Sequence, residues 1–174
     1  MYADFDDFSA DMLAALDGEL QQVKKGLVQR YPELDLSMVL TVGERLKLVY
    51  GGQIKDASSL RTMFSSNEGY GTCAVPVKEV SKGQYTPDLG SRLFWEDVPF
   101  GLCIIKNLAE MLGGVPTPTA DLFIRWHQDH MGVEFLDAGG RLNWKALWGT
   151  GAPYVHGMYS IDDVVKTSLP AQRA

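Results

Sequence analysis

Cysteine is scarce in this sequence: Cys73 and Cys103 are the only two among 174 residues. Their spacing fits neither a metal site nor a disulfide framework. Free thiols persist in reducing compartments, so the composition favours a cytoplasmic protein. Neither cysteine has an adjacent basic residue that would activate it as a nucleophile, so we expect two unreactive thiols.

Long apolar runs and basic clusters are also missing. No stretch of 18 apolar residues is present, which argues against a membrane-spanning helix. The formal net charge is −6, and the longest basic run is Lys24-Lys25. Because nucleic acid is bound by a basic surface, the sequence predicts neither a nucleic acid partner nor a membrane partner.

The two glycine-containing stretches GGQIKD (51–56) and GYGT (69–72) are not phosphate-binding loops. Neither has the pattern GxGxxG or GxxxxGK, nor the strand-then-helix context of a nucleotide site. We therefore expect no cofactor-binding residues in this chain. His127 and His130 have the i, i+3 spacing of a metal-binding pair, but no third ligand is apparent, so we expect no metal.

The residues that are present are typical of a globular protein, with 45% hydrophobic and 22% charged residues. We expect one domain spanning residues 1–174. Apolar residues recur at steps of three and four, which predicts an all-α fold of five or six helices. The first three predicted helices are 5–31, 37–50 with Val39, Val42, Leu46 and Val49 inward, and a short one within 56–67 capped by Ser58 or Ser59. The fourth is 98–112. The fifth has Thr117 as N-cap and Pro118 as first helical residue, ends at Gly132, and has Leu122, Phe123, Trp126 and His130 on one face. The last is 160–168.

Residues 67–91 contain four glycines and two prolines and show no helical period. We expect an extended excursion with one short strand near TCAVPV (72–77). An excursion of this length in a compact domain is usually functional or disordered.

The stretch SRLFWEDVPFG (91–101) concentrates charge and aromatic surface. We expect residues 92–95 to be extended and a helix to begin near Asp97, so that the guanidinium of Arg92 lies just beyond a helix N-terminus. The planar guanidinium of Arg92 and the free backbone N–H groups at the helix N-terminus would bind a carboxylate, and Asp97 could orient a histidine. The alternative is structural: Asp97 caps the helix, and Arg92 is bridged to Asp97 or Glu96. Both interpretations are open at this point.

Four segments together resemble one known family. They are NEGYG (67–71), RLFWEDVPFGL (92–102), NLAEMLGGVPTPTADLFI (107–124) and MGVEFL (131–136). In order and spacing, over about residues 10–140, the chain resembles the C-terminal domain of the octopine/nopaline dehydrogenases, the opine dehydrogenases. The family commonly has Tyr and Thr where this chain has Leu93 and Trp95, so the local pocket shape is expected to differ.

The resemblance implies an all-α domain like the C-terminal domains of 6-phosphogluconate and glycerol-3-phosphate dehydrogenases. It also implies reductive condensation of an α-keto acid with an amino acid, with NADH or NADPH as hydride donor. By position, Arg92 matches the arginine that holds a substrate carboxylate, and Asp97 matches the acid paired with the catalytic histidine. Phe94 and Trp95 would pack there or form the pocket wall.

In the family, a Rossmann domain and the segment with the catalytic histidine precede this region. None of His127, His130 and His156 occupies the expected position of that histidine. We therefore expect a substrate-binding half of a dehydrogenase, incomplete as it stands, that needs a nucleotide-binding domain in the same chain or in a partner. The runner-up is a non-catalytic helical module for dimerisation or for binding amino or keto acids. A homodimer is possible under either interpretation.

Overall fold

The structure is a computed structural model that describes residues 2–168. Residue contacts divide the chain into two compact units. The first unit combines the chain up to Gly18 with Ser37–Asp88, and the second combines Glu19–Leu36 with the chain from Leu89 onward. The expectation that residues 1–174 form one domain stays a prediction.

The fold is mostly helical, as the apolar periodicity predicts, and six of its α-helices have at least six residues. No helix within residues 2–168 is both long enough and apolar enough to cross a membrane. The helices are α1 Asp7–Arg30, α2 Val42–Tyr50, α3 Leu60–Ser65, α4 Arg92–Trp95, α5 Cys103–Met111, α6 Pro118–Met131 and α7 Ile161–Ser168, and a π-helical turn spans Val98–Leu102.

In the first unit, α2 begins at Val42, later than the predicted start at residue 37. Thr41 and Glu44 form a capping box in which each side chain binds the backbone N–H of the other, which fixes the helix start. Leu46 is buried as expected, but Val49 is 53% exposed, so its predicted inward position is wrong. The helix α3 begins after Ser59, which caps it as predicted.

A β-hairpin occupies part of the predicted excursion. Strand β1 (Val77–Ser81) pairs antiparallel with strand β2 (Gln84–Pro87) through a turn at Gly83, whose φ is +76°. The strand predicted at 72–77 was therefore placed too early in the sequence, and the predicted all-α fold did not include this hairpin. The signal was the β-branched and aromatic residues in VKEVSKGQYTP, with glycine at the turn position that requires a positive φ.

The second unit has its core between α5, α6 and the segment that follows α6. Cys103, Ile124, Leu136 and Leu147 are completely buried there. Gly132 ends α6 in the left-handed conformation with φ +66°, as the sequence predicts. The apolar face expected for α6 points outward instead: Leu122 and Trp126 are exposed, whereas Ala120 and Ile124 are buried. The predicted helix at 160–168 is observed as α7.

Candidate active site

The segment that contains Arg92 is helical, so the expectation that residues 92–95 are extended is wrong. Glu96 donates its backbone N–H to the carbonyl of Arg92 at 3.0 Å, and Asp97 has helical φ and ψ of −67° and −29°. Helical hydrogen bonding therefore begins one turn earlier than expected. Neither Ser91 nor Asp97 caps a helix through its side chain.

Arg92 lies on the surface and contacts one acid. Its Nε is 2.9 Å from Oε2 of Glu96, one helical turn away, and the side chain of Arg92 is 81% exposed. This is the bridging that the structural alternative describes for Arg92. An exposed ion pair of this kind contributes little to stability, so the guanidinium can exchange Glu96 for a better partner at small cost.

Asp97 is exposed at the point where the helix changes its winding. Val98 and Pro99, which follow it, are buried, and the π-helical turn Val98–Leu102 connects this point to α5. Proline has no N–H and could not continue the i→i−4 pattern of an α-helix. Single π-turns occur frequently at functional sites.

The aromatic residues of the stretch 91–101 range from half-buried to exposed. Phe94 is half-buried, and its ring centroid lies 6.5 Å from that of His127. Trp95 is 41% exposed, and Leu93 and Phe100 are exposed as well. The side chains predicted for the pocket wall therefore border a surface with large exposed apolar groups beside Arg92 and Asp97.

Of the three histidines, His127 lies near this block through its ring contact with Phe94, and its hydrogen bond is made within α6. Nδ1 of His127 is 2.8 Å from the carbonyl oxygen of Phe123, a bond within α6 that fixes the ring orientation. The ring of Trp126 contacts the rings of His127 and His130 edge-on, so this pair belongs to an aromatic cluster on α6. His156 lies in a 3₁₀ turn at Pro153–His156.

A buried polar cluster between α5 and α6 was missed by the sequence reasoning. Nζ of Lys106 is 2.8 Å from Oδ1 of Asp121, 3.1 Å from Oγ1 of Thr117 and 3.9 Å from Oε1 of Glu110. The hydroxyl of Thr117 also lies 3.2 Å from Oδ1 of Asp121. The signal was present: Lys106 and Glu110 are one turn apart in an otherwise apolar helix, and Thr117 and Asp121 are four residues apart at the start of the next.

This cluster forms one side of an open cleft of about 690 Å3. The loop Gly113–Pro118 and the turn Gly139–Arg141 form the other sides. Buried lysine and carboxylate groups are stable only when they are paired, so the cluster is a built feature of the fold rather than a solvated surface.

The N-terminus of α6 is occupied by a carboxylate from α1. Glu19, itself 9% exposed, accepts hydrogen bonds from the backbone N–H groups of Thr119 at 2.6 Å and Ala120 at 2.9 Å. Thr117 precedes the helix as predicted, but its hydroxyl binds Lys106 and Asp121 instead of capping. The positive end of the helix dipole is thus neutralised from within the protein.

A family model described as "NAD/NADP octopine/nopaline dehydrogenase, alpha-helical domain" matches residues 1–131. The chain belongs to this family. The resemblance drawn from the sequence motifs is therefore confirmed, and the family is NAD- or NADP-dependent by its description.

Curated members of the family are similar over nearly the whole chain. The tauropine dehydrogenase of Arabella iricolor is 33% identical over 90% of this chain and 39% of its own length. The opine dehydrogenase of Haliotis discus hannai is 34% identical over 94% of this chain and 40% of its own length. The chain thus spans about 40% of the length of these relatives.

Solved structures of octopine dehydrogenase share the fold. The complex of that enzyme with NADH and L-arginine aligns with a TM-score of 0.87 at 30% identity, covering 100% of this chain and 42% of the other. A second structure, with NADH and pyruvate, aligns with a TM-score of 0.81 at 28% identity, covering 100% and 41%.

The described residues do not fit the family's dinucleotide cofactor. Within residues 2–168 the sheet content is one antiparallel hairpin, without the parallel βαβ unit that places a pyrophosphate at a helix N-terminus. The starts of four helices are already occupied by side chains of this chain: Thr41 and Glu44 at α2, Ser59 at α3, Glu19 at α6 and Ser160 at α7. The expectation that this chain contains no cofactor-binding residues stays a prediction.

Proposed function

We propose that this chain is the substrate-binding helical half of an NAD(P)H-dependent opine dehydrogenase-type oxidoreductase, which condenses an α-keto acid with an amino acid. The observation that carries the proposal is the Arg92–Asp97 block, exposed on the surface of a domain of this family. Relatives crystallised with pyruvate and with L-arginine support the two substrate classes. The nucleotide-binding domain belongs to another part of the polypeptide or to a partner chain.

Arg92 binds the carboxylate of one substrate in this proposal. A guanidinium offers two parallel N–H groups to a carboxylate, and it gives up only an exposed contact with Glu96 to do so. Removing that side chain should therefore weaken substrate binding without loss of fold.

Asp97 holds and orients the catalytic histidine, which lies outside the described residues. A carboxylate beside an imidazole fixes the tautomer and stabilises the protonated form, as proton transfer to and from the substrate requires. The exposure of Asp97 leaves its carboxylate accessible to a residue of another domain.

Phe94 and Trp95 form part of the pocket wall, and the exposed apolar side chains nearby are covered by the nucleotide-binding domain. Leu93 and Phe100 are 53% and 58% exposed, which is unusual for large apolar groups grouped beside charged residues. We place the protein in the cytoplasm, where its thiols Cys73 and Cys103 stay reduced.

The test uses the chain together with its nucleotide-binding domain, in one polypeptide or as two subunits. Arg92→Ala is expected to raise the KM for the carboxylate substrate by at least about tenfold with little change in Tm. Asp97→Asn is expected to lower kcat more than it raises KM. Glu96→Gln is the matched control, since it removes the ion pair and leaves the guanidinium.

The control separates the two roles of Arg92. If Arg92 acts only in a helical ion pair, Glu96→Gln and Arg92→Ala will give the same small change in stability and no change in KM. If it binds substrate, Glu96→Gln will retain or improve binding. Unchanged kinetics in both Arg92→Ala and Asp97→Asn would overturn the proposal.

The runner-up, a non-catalytic helical module, makes a different prediction for the native protein. An antibody against this domain should then detect a band near 19.2 kDa in the source organism, with no nucleotide-binding domain in the same complex. A much larger band, or a nucleotide-binding subunit that copurifies, supports the dehydrogenase.

A further inference from the structure

We propose that Gly151 is a positioning residue for the Arg92–Asp97 block. Its backbone N–H stabilises the π-helical turn Val98–Leu102, and the turn determines where the side chains of Arg92 and Asp97 lie. The inference rests on the proposed function, because a positioning residue has a role only if these two side chains act on the substrate.

The π-helical turn is bound by a hydrogen bond from a distant part of the chain. Gly151 donates its backbone N–H to the carbonyl oxygen of Pro99 at 3.0 Å. Pro99 is the second residue of the turn, in which the N–H of Cys103 also donates to the carbonyl of Val98. A group that enters the hydrogen-bond ladder of a helix from outside is a known cause of a break in α-helical winding. The bond from Gly151 therefore stabilises the turn in its observed winding.

Glycine permits the close approach that this bond needs. A Cβ at Gly151 would lie 2.8 Å from Cδ1 of Ile104 and 3.4 Å from Cδ1 of Phe100. Because ordinary contact begins at 3.4 Å, an alanine would have to move away from Ile104 by about 0.6 Å or displace its Cδ1. Ile104 is the second residue of α5, directly after the turn, so either movement acts on the end of the turn.

The donor belongs to a well-anchored segment, residues 147–152. Leu147 and Ala152 are completely buried, in the same core cluster as Val98. The N–H of Thr150 donates to the carbonyl of Leu147 at 3.0 Å, and the hydroxyl of Thr150 accepts the N–H of Ala152 at 3.2 Å. The segment is therefore fixed at both ends and between them, and it offers its donor to the turn at a defined place.

The Arg92–Asp97 block has few anchors of its own. Between Arg92 and Asp97 only Phe94 is half-buried, and the other side chains are exposed. Val98 and Pro99, the first two residues of the turn, are buried. The block is therefore positioned mainly through the turn, and a displacement of the turn is passed on to Arg92 and Asp97.

The experiment measures kinetics of the chain together with its nucleotide-binding domain, at a temperature well below Tm. Gly151→Ala should lower kcat/KM at least about threefold and Gly151→Val at least about tenfold, because a misplacement of about 1 Å costs up to about 100-fold in rate. Both KM and kcat should change, since the turn positions Arg92 and Asp97 together, whereas Arg92→Ala acts mainly on KM and Asp97→Asn mainly on kcat.

A second substitution tests whether the close approach is the cause. Ile104→Val removes Cδ1, the atom that a new side chain at position 151 would meet first. Combined with Gly151→Ala, it should return kcat/KM to within about twofold of wild type. These two variants decide the question even if Gly151→Val does not fold.

Glu19→Ala is the matched control for lost stability, because the hydrogen bonds of Glu19 go to Thr119 and Ala120. It should lower Tm and leave kcat/KM within about twofold of wild type. If Gly151→Ala likewise changes only Tm, or if Ile104→Val restores Tm without restoring kcat/KM, Gly151 has only a structural role and the inference is overturned.

Arg92→Ala and Asp97→Asn, measured beside these variants, separate the two proposals. If both impair the enzyme as expected while Gly151→Ala leaves KM and kcat unchanged, the inference alone is overturned. If neither changes the kinetics, the proposed function is overturned and the inference with it.

Discussion

The cap that Glu19 places on α6 can be tested by removing its carboxylate. Glu19→Ala leaves the N–H groups of Thr119 and Ala120 without acceptors at a buried helix end. A hydrogen bond to a charged group contributes about 1.5–3 kcal/mol, and the two bonds share one carboxylate, so we expect a loss of about 2–4 kcal/mol in the free energy of unfolding. Glu19→Gln keeps the shape and one acceptor oxygen, and it should cost about 1–2 kcal/mol.

The assay is urea unfolding followed by circular dichroism, with a thermal scan as a second measurement. A domain of this size should lose about 2–4 °C in Tm for each kcal/mol, so Glu19→Ala should melt visibly earlier. Glu33→Ala is the matched control, because Glu33 is exposed and its loss should change stability by less than about 0.5 kcal/mol. If Glu19→Ala behaves like the control, the two backbone bonds do not stabilise α6 and the reasoning is refuted.

Three further predictions follow from single residues. Burial raises the pKa of the Cys103 thiol to about 12, so a thiol reagent at pH 8 should modify the exposed Cys73 and reach Cys103 only after denaturation; modification of both in the native state would contradict the placement of Cys103. Gly69→Ala should destabilise the protein by about 1–3 kcal/mol, because a Cβ at this position would lie 2.8 Å from Cδ1 of Tyr50. Gly18→Ala has open space within α1 and should stabilise the protein by about 0.5–1 kcal/mol. Equal urea midpoints for the two variants would argue against both predictions. Hydrogen bonds from Ser160 lower the pKa of Asp163 below its ordinary 3.8, so the contribution of Asp163 to stability is present above pH 3.8 and is lost as the pH falls through the folded-state pKa. The urea midpoints of wild type and Asp163→Asn should therefore differ at pH 7 and converge in acid. A difference that persists in acid would refute this prediction.

The sequence predicts most of the helices because their signals are local. Apolar spacing marks α1, Gly132 marks the end of α6, and Ser59 marks the start of α3. The start of α2 was misplaced because the capping box at Thr41 and Glu44 is a stronger signal than the apolar residues before it.

The site block was recognised by its motif, but its geometry could not be derived from it. Whether residues 92–95 are extended or helical depends on the buried Val98 and Pro99 that anchor the following turn, and these contacts are tertiary. The polar cluster around Lys106 was not predicted for a related reason. Its four members belong to α5 and to the start of α6, and only the packing of the two helices brings the charges together.

The number of residues in the π-helical turn Val98–Leu102 determines the direction in which Arg92 and Asp97 point. An α-helix turns by about 100° for each residue, and a π-turn accommodates one residue more than the α-helical path. Deleting one residue here, such as Gly101, would therefore rotate Arg92 and Asp97 by about 100° around the axis of α5 and turn both side chains away from their present side. Point substitutions that preserve chain length leave this orientation in place, so variation in the family should tolerate changes of residue type in this turn far better than changes of its length.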